Sequence, residues 1–205
     1  MNKPVTAPHL LTRRSHGNRP ALPVLGEIAL APARLHEICG PARHLLALLV
    51  AAATTGPVFW IAPAWAQGRL NPDGMAALVP PERFTFLTPQ RAPDLLWTLE
   101  EALRAGAVPL VVAELPEPPG LTPVRRLHLA AETGAGEGRG APLGLIMTPG
   151  EGGAPGVETR WHAAPAHAPG RRAWTVARRR ARTLPPATWT LSRAQGRFTL
   201  APTPA

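Results

Sequence analysis

LHEICGPARHLLALLVAAATTGPVFWI, residues 35–61, holds three apolar runs divided by two turn signals. No charged residue occurs between Leu45 and Gln67, a length that could cross the roughly 30 Å hydrocarbon core of a bilayer. Thr54-Thr55-Gly56-Pro57 in the middle, with Pro63 close behind, argues against a span. Proline there removes a backbone donor where lipid offers no substitute. An export signal fits no better, because about forty residues with several prolines precede the run. The stretch divides instead into a strand Leu35–Cys39, a turn at Gly40-Pro41, a helix Arg43–Ala53 and a strand Val58–Ile61. The last is apolar throughout, as a strand buried on both faces is.

Outward from this segment the alternation continues. Arg83–Leu87 alternates as a strand does. Asp94 is expected to cap a helix over Leu95–Ala105, whose Leu95, Leu96, Leu99 and Leu103 share one face, and Gly106 to end it. Leu110–Ala113 reads as another buried strand. A helix over Leu121–Thr133 opens at Thr122-Pro123 and stops at Gly134. Gly134–Gly140 and Pro149–Gly156 read as flexible loops on either side of a strand Leu143–Met147. Glu158–Ala163 and Ala173–Ala177 follow as strands, and Thr188–Arg193 with Arg197–Leu200 as a hairpin around Gln195-Gly196. The order predicts an α/β fold: a mostly parallel sheet flanked by helices, extended by C-terminal antiparallel strands. One domain is expected over residues 22–200, with 1–21 a disordered N-terminal tail and 201–205 a C-terminal tail.

Composition narrows the chemistry. Cys39 is the only cysteine among 205 residues, which excludes an internal disulfide, a CxxC pair and any multi-cysteine zinc site. The histidines form no HExxH or close pair, so neither a metal nor another cofactor is expected, and the chain reads as reduced and cytoplasmic. Residues 1–120 carry ten basic and nine acidic side chains, whereas residues 121–205 carry twelve and four. Eight arginines and no carboxylate fall within residues 171–197. A patch of this sign attracts phosphate backbones or an acidic protein surface.

In a parallel sheet the turn after the first strand, at a helix N-terminus, is where phosphate binds. A working loop reads G-x-x-x-x-G-K-[ST], the second Gly letting the backbone wrap, Lys reaching the phosphates and the hydroxyl holding Mg²⁺. Counted from Gly40-Pro41, those three positions hold Leu45, Leu46 and Ala47, and Lys3 is the only lysine in the chain. Arg43 could touch an anion but replaces neither the wrap nor the metal ligand.

The order Leu35–Pro41, apolar helix, Val58–Ile61, then Gly106-Ala107-Val108-Pro109-Leu110-Val111-Val112 resembles the RecA recombinase core. With its phosphate loop degenerate, the chain is similar to the ImuA family, RecA-like accessory proteins of the bacterial SOS mutagenesis cassette. The run Ala177–Arg182 (ARRRAR), Pro185-Pro186 and Thr188-Trp189-Thr190-Leu191 resembles that family's ending. The likeness spans roughly residues 22–200, without the recombinase's separate N-terminal helical domain. It implies that Ala64 stands where a water-activating glutamate would be and Ala113 where a Walker B aspartate would be. Glu114, one residue on, is expected to point to the opposite face. No catalytic residue is therefore expected, and the protein is not expected to be an enzyme.

The resemblance implies a cytoplasmic protein that joins the nucleoid on DNA damage and acts by binding. Its partner would be ImuB, the polymerase-like protein of translesion synthesis. The error-prone C-family polymerase and the sliding clamp would be reached through that partner, with DNA and RecA as further candidates and no membrane. Two rival readings are an active P-loop ATPase and a SulA-like cell-division inhibitor.

Arg171, Arg172, Arg178, Arg179, Arg180 and Arg182 are the candidate contacts, with DNA phosphates, a protein partner and a merely solvated strand all open. Trp161, Trp174 and Trp189 could stack on bases but lie in strand-like runs that favour core packing. Glu100-Glu101 reads as a solvated helix face, and His162 and His167 receive no role.

Overall fold

The computed structural model describes residues 21–138 and 140–203. The expected tail falls almost wholly outside them. The chain opens on a hairpin of β1 (Leu22–Leu25) and β2 (Ile28–Leu30), which the sequence pattern did not reveal. Six parallel strands follow: β3 (Leu35–Cys39), β4 (Val58–Ile61), β5 (Phe84–Leu87), β6 (Leu110–Glu114), β7 (Leu143–Met147) and β8 (Thr159–Pro165). Three antiparallel strands complete the sheet: β9 (Arg172–Ala181), β10 (Ala187–Ala194) and β11 (Arg197–Pro202). Their order across nine strands is β11-β10-β9-β8-β3-β7-β6-β4-β5. The last turn is the expected one, with Gln195 and Gly196 both at positive φ (50° and 79°), the geometry a two-residue hairpin needs.

Helix α1 (Arg43–Ala53) and the opening hairpin cover one face of the sheet. The other face carries α3 (Ala92–Ala105) and α4 (Leu121–Glu137), while the short α2 (Pro72–Ala76) lies between β4 and β5. Leu46, Ala47, Val50 and Ala51 of α1 are at most 1% exposed, so the long uncharged run is a buried helix followed by a buried strand. No helix among the described residues is long and apolar enough to cross a membrane.

Three local expectations change. Helix α3 begins at Ala92 rather than after Asp94: Pro93 fits its first turn, and Asp94 instead accepts from Arg91 Nε and Nη2 at 2.9 Å each. Helix α4 does not stop at Gly134 but runs to Glu137. Gly134 is a point of close approach, since a Cβ there would lie 2.0 Å from the Leu103 carbonyl oxygen. Gly106, which does end α3 at φ +55°, faces it across the helix pair. Glu100 is not on a solvated face: it is 8% exposed, pairs within α3 with Arg104 (2.5 Å) and ties α3 to α4 through Arg126 (2.7 Å).

Candidate functional site

Because α1 leaves β3 toward one face while α3 and α4 occupy the other, the connections diverge at the carboxyl ends of β3, β7 and β6. Open parallel sheets bind ligands in such a crevice. The turn after β3 is short here. Gly40, at φ +88°, swings the chain out of the strand, and α1 begins at Arg43 after only Pro41 and Ala42. The Ala42 amide donates to the Ala163 carbonyl at 2.9 Å and the Arg43 amide to Gly40 at 3.2 Å. The Arg43 side chain also folds back, Nη1 reaching the Gly40 carbonyl at 3.2 Å. From the sheet side β8 closes over the turn: a Cβ on Gly40 would lie 2.4 Å from the Ala163 oxygen and 2.7 Å from His162 Nε2. Leu46 and Ala47 are core residues and Leu45 packs partly against them. These six positions form a tight strand-to-helix turn, with protein atoms against its glycine.

Ala113 points into the core beneath α3 and α4, and Ala64 donates its amide to Pro89 at 3.0 Å. Glu114 ends β6 on the α1 side of the sheet. Its Oε1 accepts from Trp60 Nε1 at 2.7 Å, and its Oε2 lies 3.2 Å from His44 Nε2 at the start of α1. Burial pushes this carboxyl up, but the bonds from His44 and Trp60, with the charges of His44 and Arg43, outweigh it and hold it below the usual carboxylate range. Beside it a cavity of about 150 Å³ is walled by Trp60, Pro63, Leu70 and Phe86. The strand's alternation does set Glu114 opposite Ala113, as expected, but it is Glu114 that faces the helix after the turn. Only the choice of reference residue hid this in the sequence.

A second carboxylate lies deeper. Glu37, mid-strand in β3 and fully buried, accepts from Thr148 Oγ1 (2.7 Å), the amides of Gly153 (2.9 Å) and Ala154 (3.2 Å), and Arg160 Nε (2.5 Å). Such saturation is what an ionised group needs away from water. It fixes the start and centre of the loop after β7, the segment whose glycines alone suggested flexibility. A charge inside a strand buried at every position was the available signal. Cys39, two residues on, donates to the Trp161 carbonyl at 3.6 Å, and burial pushes its thiol up to about 12, so it is inert.

The six candidate arginines separate. Arg178 is 6% exposed, donates to the Pro185 carbonyl at 3.0 Å, and stacks over Trp161 and Trp189 at 5.7 and 5.0 Å. Arg179 pairs with Glu151 at 3.0 Å, which also meets His162 at 3.3 Å. Arg182 reaches Glu158 at 3.9 Å. Arg171, Arg172 and Arg180 are exposed. Trp161 and Trp189 are core residues and Trp174 packs on Phe198 at 6.0 Å. His167 accepts the Ala173 amide at 3.2 Å. Among the described residues no three His, Cys, Asp or Glu side chains converge as a metal site.

No protein-family model matches the chain, and no curated protein matches it in sequence.

Proposed function

We propose that this chain is a non-hydrolysing RecA-like accessory protein of damage-induced mutagenesis, acting by binding an ImuB-type polymerase-like partner. One observation carries the non-catalytic part: where a phosphate loop would wrap, α1 has already begun at Arg43, and His162 and Ala163 stand against Gly40. A phosphate needs free amides and space at a helix start, and the Ala42 and Arg43 amides are bonded within the protein. The resemblance in sequence order supplies the rest of the reading. Through the partner the protein would serve the error-prone C-family polymerase and the sliding clamp, with DNA or RecA as additional contacts.

Two titrations test this. ATP with Mg²⁺ should give no heat of binding and no turnover, while a purified ImuB-type protein should bind. Tight Mg-ATP binding with hydrolysis would return the P-loop ATPase reading. Binding to the division GTPase in place of the polymerase-like protein would return the cell-division inhibitor.

A further inference from the structure

Helix α4 buries Val124, Leu127, Ala130 and Ala131 and turns Leu121, Arg125, Leu129 and Glu132 outward. Two of these outward residues are large and apolar, Leu121 at 41% and Leu129 at 61% exposure. They stand two helical turns apart, about 12 Å along the axis, with Arg125 midway. Below them runs a groove of about 420 Å³, bounded on its other side by Arg34, Gly156 and Arg182. His128 forms part of its wall, bonding Gly156 through Nε2 (3.1 Å) and accepting the Leu35 amide at Nδ1 (3.3 Å).

The charge of this groove is positive. Arg34 pairs with Glu132 and lies 3.7 Å from Glu158, and Arg182 reaches the same Glu158 only at 3.9 Å. Glu158 Oε2 is buried and has no hydrogen bond. Arg125 has no acidic partner among the described residues. Three arginines thus face two carboxylates. Arg182, singled out in the sequence as one of a run, is brought by the fold beside two arginines from distant segments.

We infer that this groove is a docking site for an acidic segment of a partner protein that also carries apolar side chains, these seating on Leu121 and Leu129 and its carboxylates meeting Arg125 and Arg182. A nucleic acid is the poorer fit. Phosphates need only charge and reach, leaving two exposed leucines unused. A second copy of this chain fits no better, since it carries thirteen acidic against twenty-two basic side chains. The first 20 residues contain Lys3, Arg13, Arg14 and Arg19 and no carboxylate, so charge excludes them as well. Arginine is among the residues that concentrate binding energy at interfaces, and apolar residues spaced along one helix face are a recurring way to seat a partner segment. The inference does not depend on the turn after β3 or on the function proposed from it.

The test is selection of random peptides on the full-length protein, followed by measured affinities for wild type, Arg125→Glu and Leu129→Gln. A fluorescent single-stranded oligonucleotide serves as the competing ligand. Selected peptides should combine Asp or Glu with Leu, Ile, Met or Phe, and should bind each variant about tenfold or more weakly. Both substitutions lie on an exposed face, and unchanged melting temperatures would show that folding is intact. Selection of no peptide, of peptides without carboxylates, or of peptides indifferent to both substitutions would overturn the inference. So would oligonucleotide binding lost on Arg125→Glu with no peptide selected. No arm contains a nucleotide or a polymerase-like protein, so its failure is separable from failure of the function proposed above.

Discussion

Acidification from about pH 7 to about pH 4 must put a proton on the imidazole of His36, a side chain without contact to water. The ring sits mid-strand in β3 and is fully buried. Nε2 lies 2.9 Å from the Ala31 carbonyl and so carries the hydrogen; Nδ1 accepts from Thr159 Oγ1 at 2.7 Å. That hydroxyl in turn accepts from Trp161 Nε1 at 2.9 Å. A proton on Nδ1 would force the Thr159 hydroxyl to turn its hydrogen away and lose that bond. Burial lowers the group from 6.5 to about 4, against the opposing effect of the Ala31 bond and with help from the His128 and Arg34 charges. The unfolded chain therefore binds a proton through this window that the folded chain refuses. Stability is fully present above the unfolded value and falls as pH drops from about 6.5 to about 4. At 1.36 kcal/mol per pKa unit the loss is roughly 3 kcal/mol. Urea unfolding at closely spaced pH values reads it, with His36→Gln as the comparison, because Gln keeps an N–H for Ala31 and an oxygen for Thr159. Carboxylates that titrate in the same window contribute to both proteins and cancel in the difference. Wild type should lose roughly 3 kcal/mol more than the variant. Parallel curves would refute the reasoning.

Four further substitutions test the packing. Glu37→Gln leaves the half-buried Arg160 guanidinium without its carboxylate partner and should cost about 3 kcal/mol in denaturant unfolding, with faster proteolysis in the loop after β7. Gly134→Ala puts a methyl 2.0 Å from the Leu103 carbonyl oxygen, so α3 and α4 must separate. A loss of about 3 kcal/mol is expected by thermal melting. Arg178→Ala removes the cation above two tryptophans and its bond to Pro185, at about 2–4 kcal/mol. Arg179→Ala breaks only a surface pair with the exposed Glu151 and should stay within about 0.5 kcal/mol. Equal effects of the two would contradict the burial assigned to Arg178.

β4, β6 and β7 were readable because they are short, largely apolar runs with Gly or Pro between them, and their positions and type held to within a residue. What resisted reading was set by tertiary contact. Gly134 and Gly136 look like a loop in any local pattern; only the approach of α3 keeps the chain helical there. The opening hairpin has too few residues per strand for a period to show, and it is stabilised by packing against α1 and β11. In the candidate site, the core packing of Leu46 and Ala47 was readable. The seating of β8 over Gly40 was not, since Ala163 and His162 lie more than a hundred residues away. The arginine run shows the same limit: charge count cannot distinguish Arg178, beneath two indoles, from Arg180, in water.

The turn after β3 also bears on how this chain could change by mutation. Placing Gly, Lys and Thr at positions 45, 46 and 47 would not create a phosphate site. Those residues would sit inside an already formed helix, with the lysine replacing a leucine that is 1% exposed. The glycine would still be covered by β8. Each of these substitutions alone would cost stability and return nothing, so selection has no graded path along which to collect them. The arrangement behaves as a ratchet, held by a strand far away in the sequence.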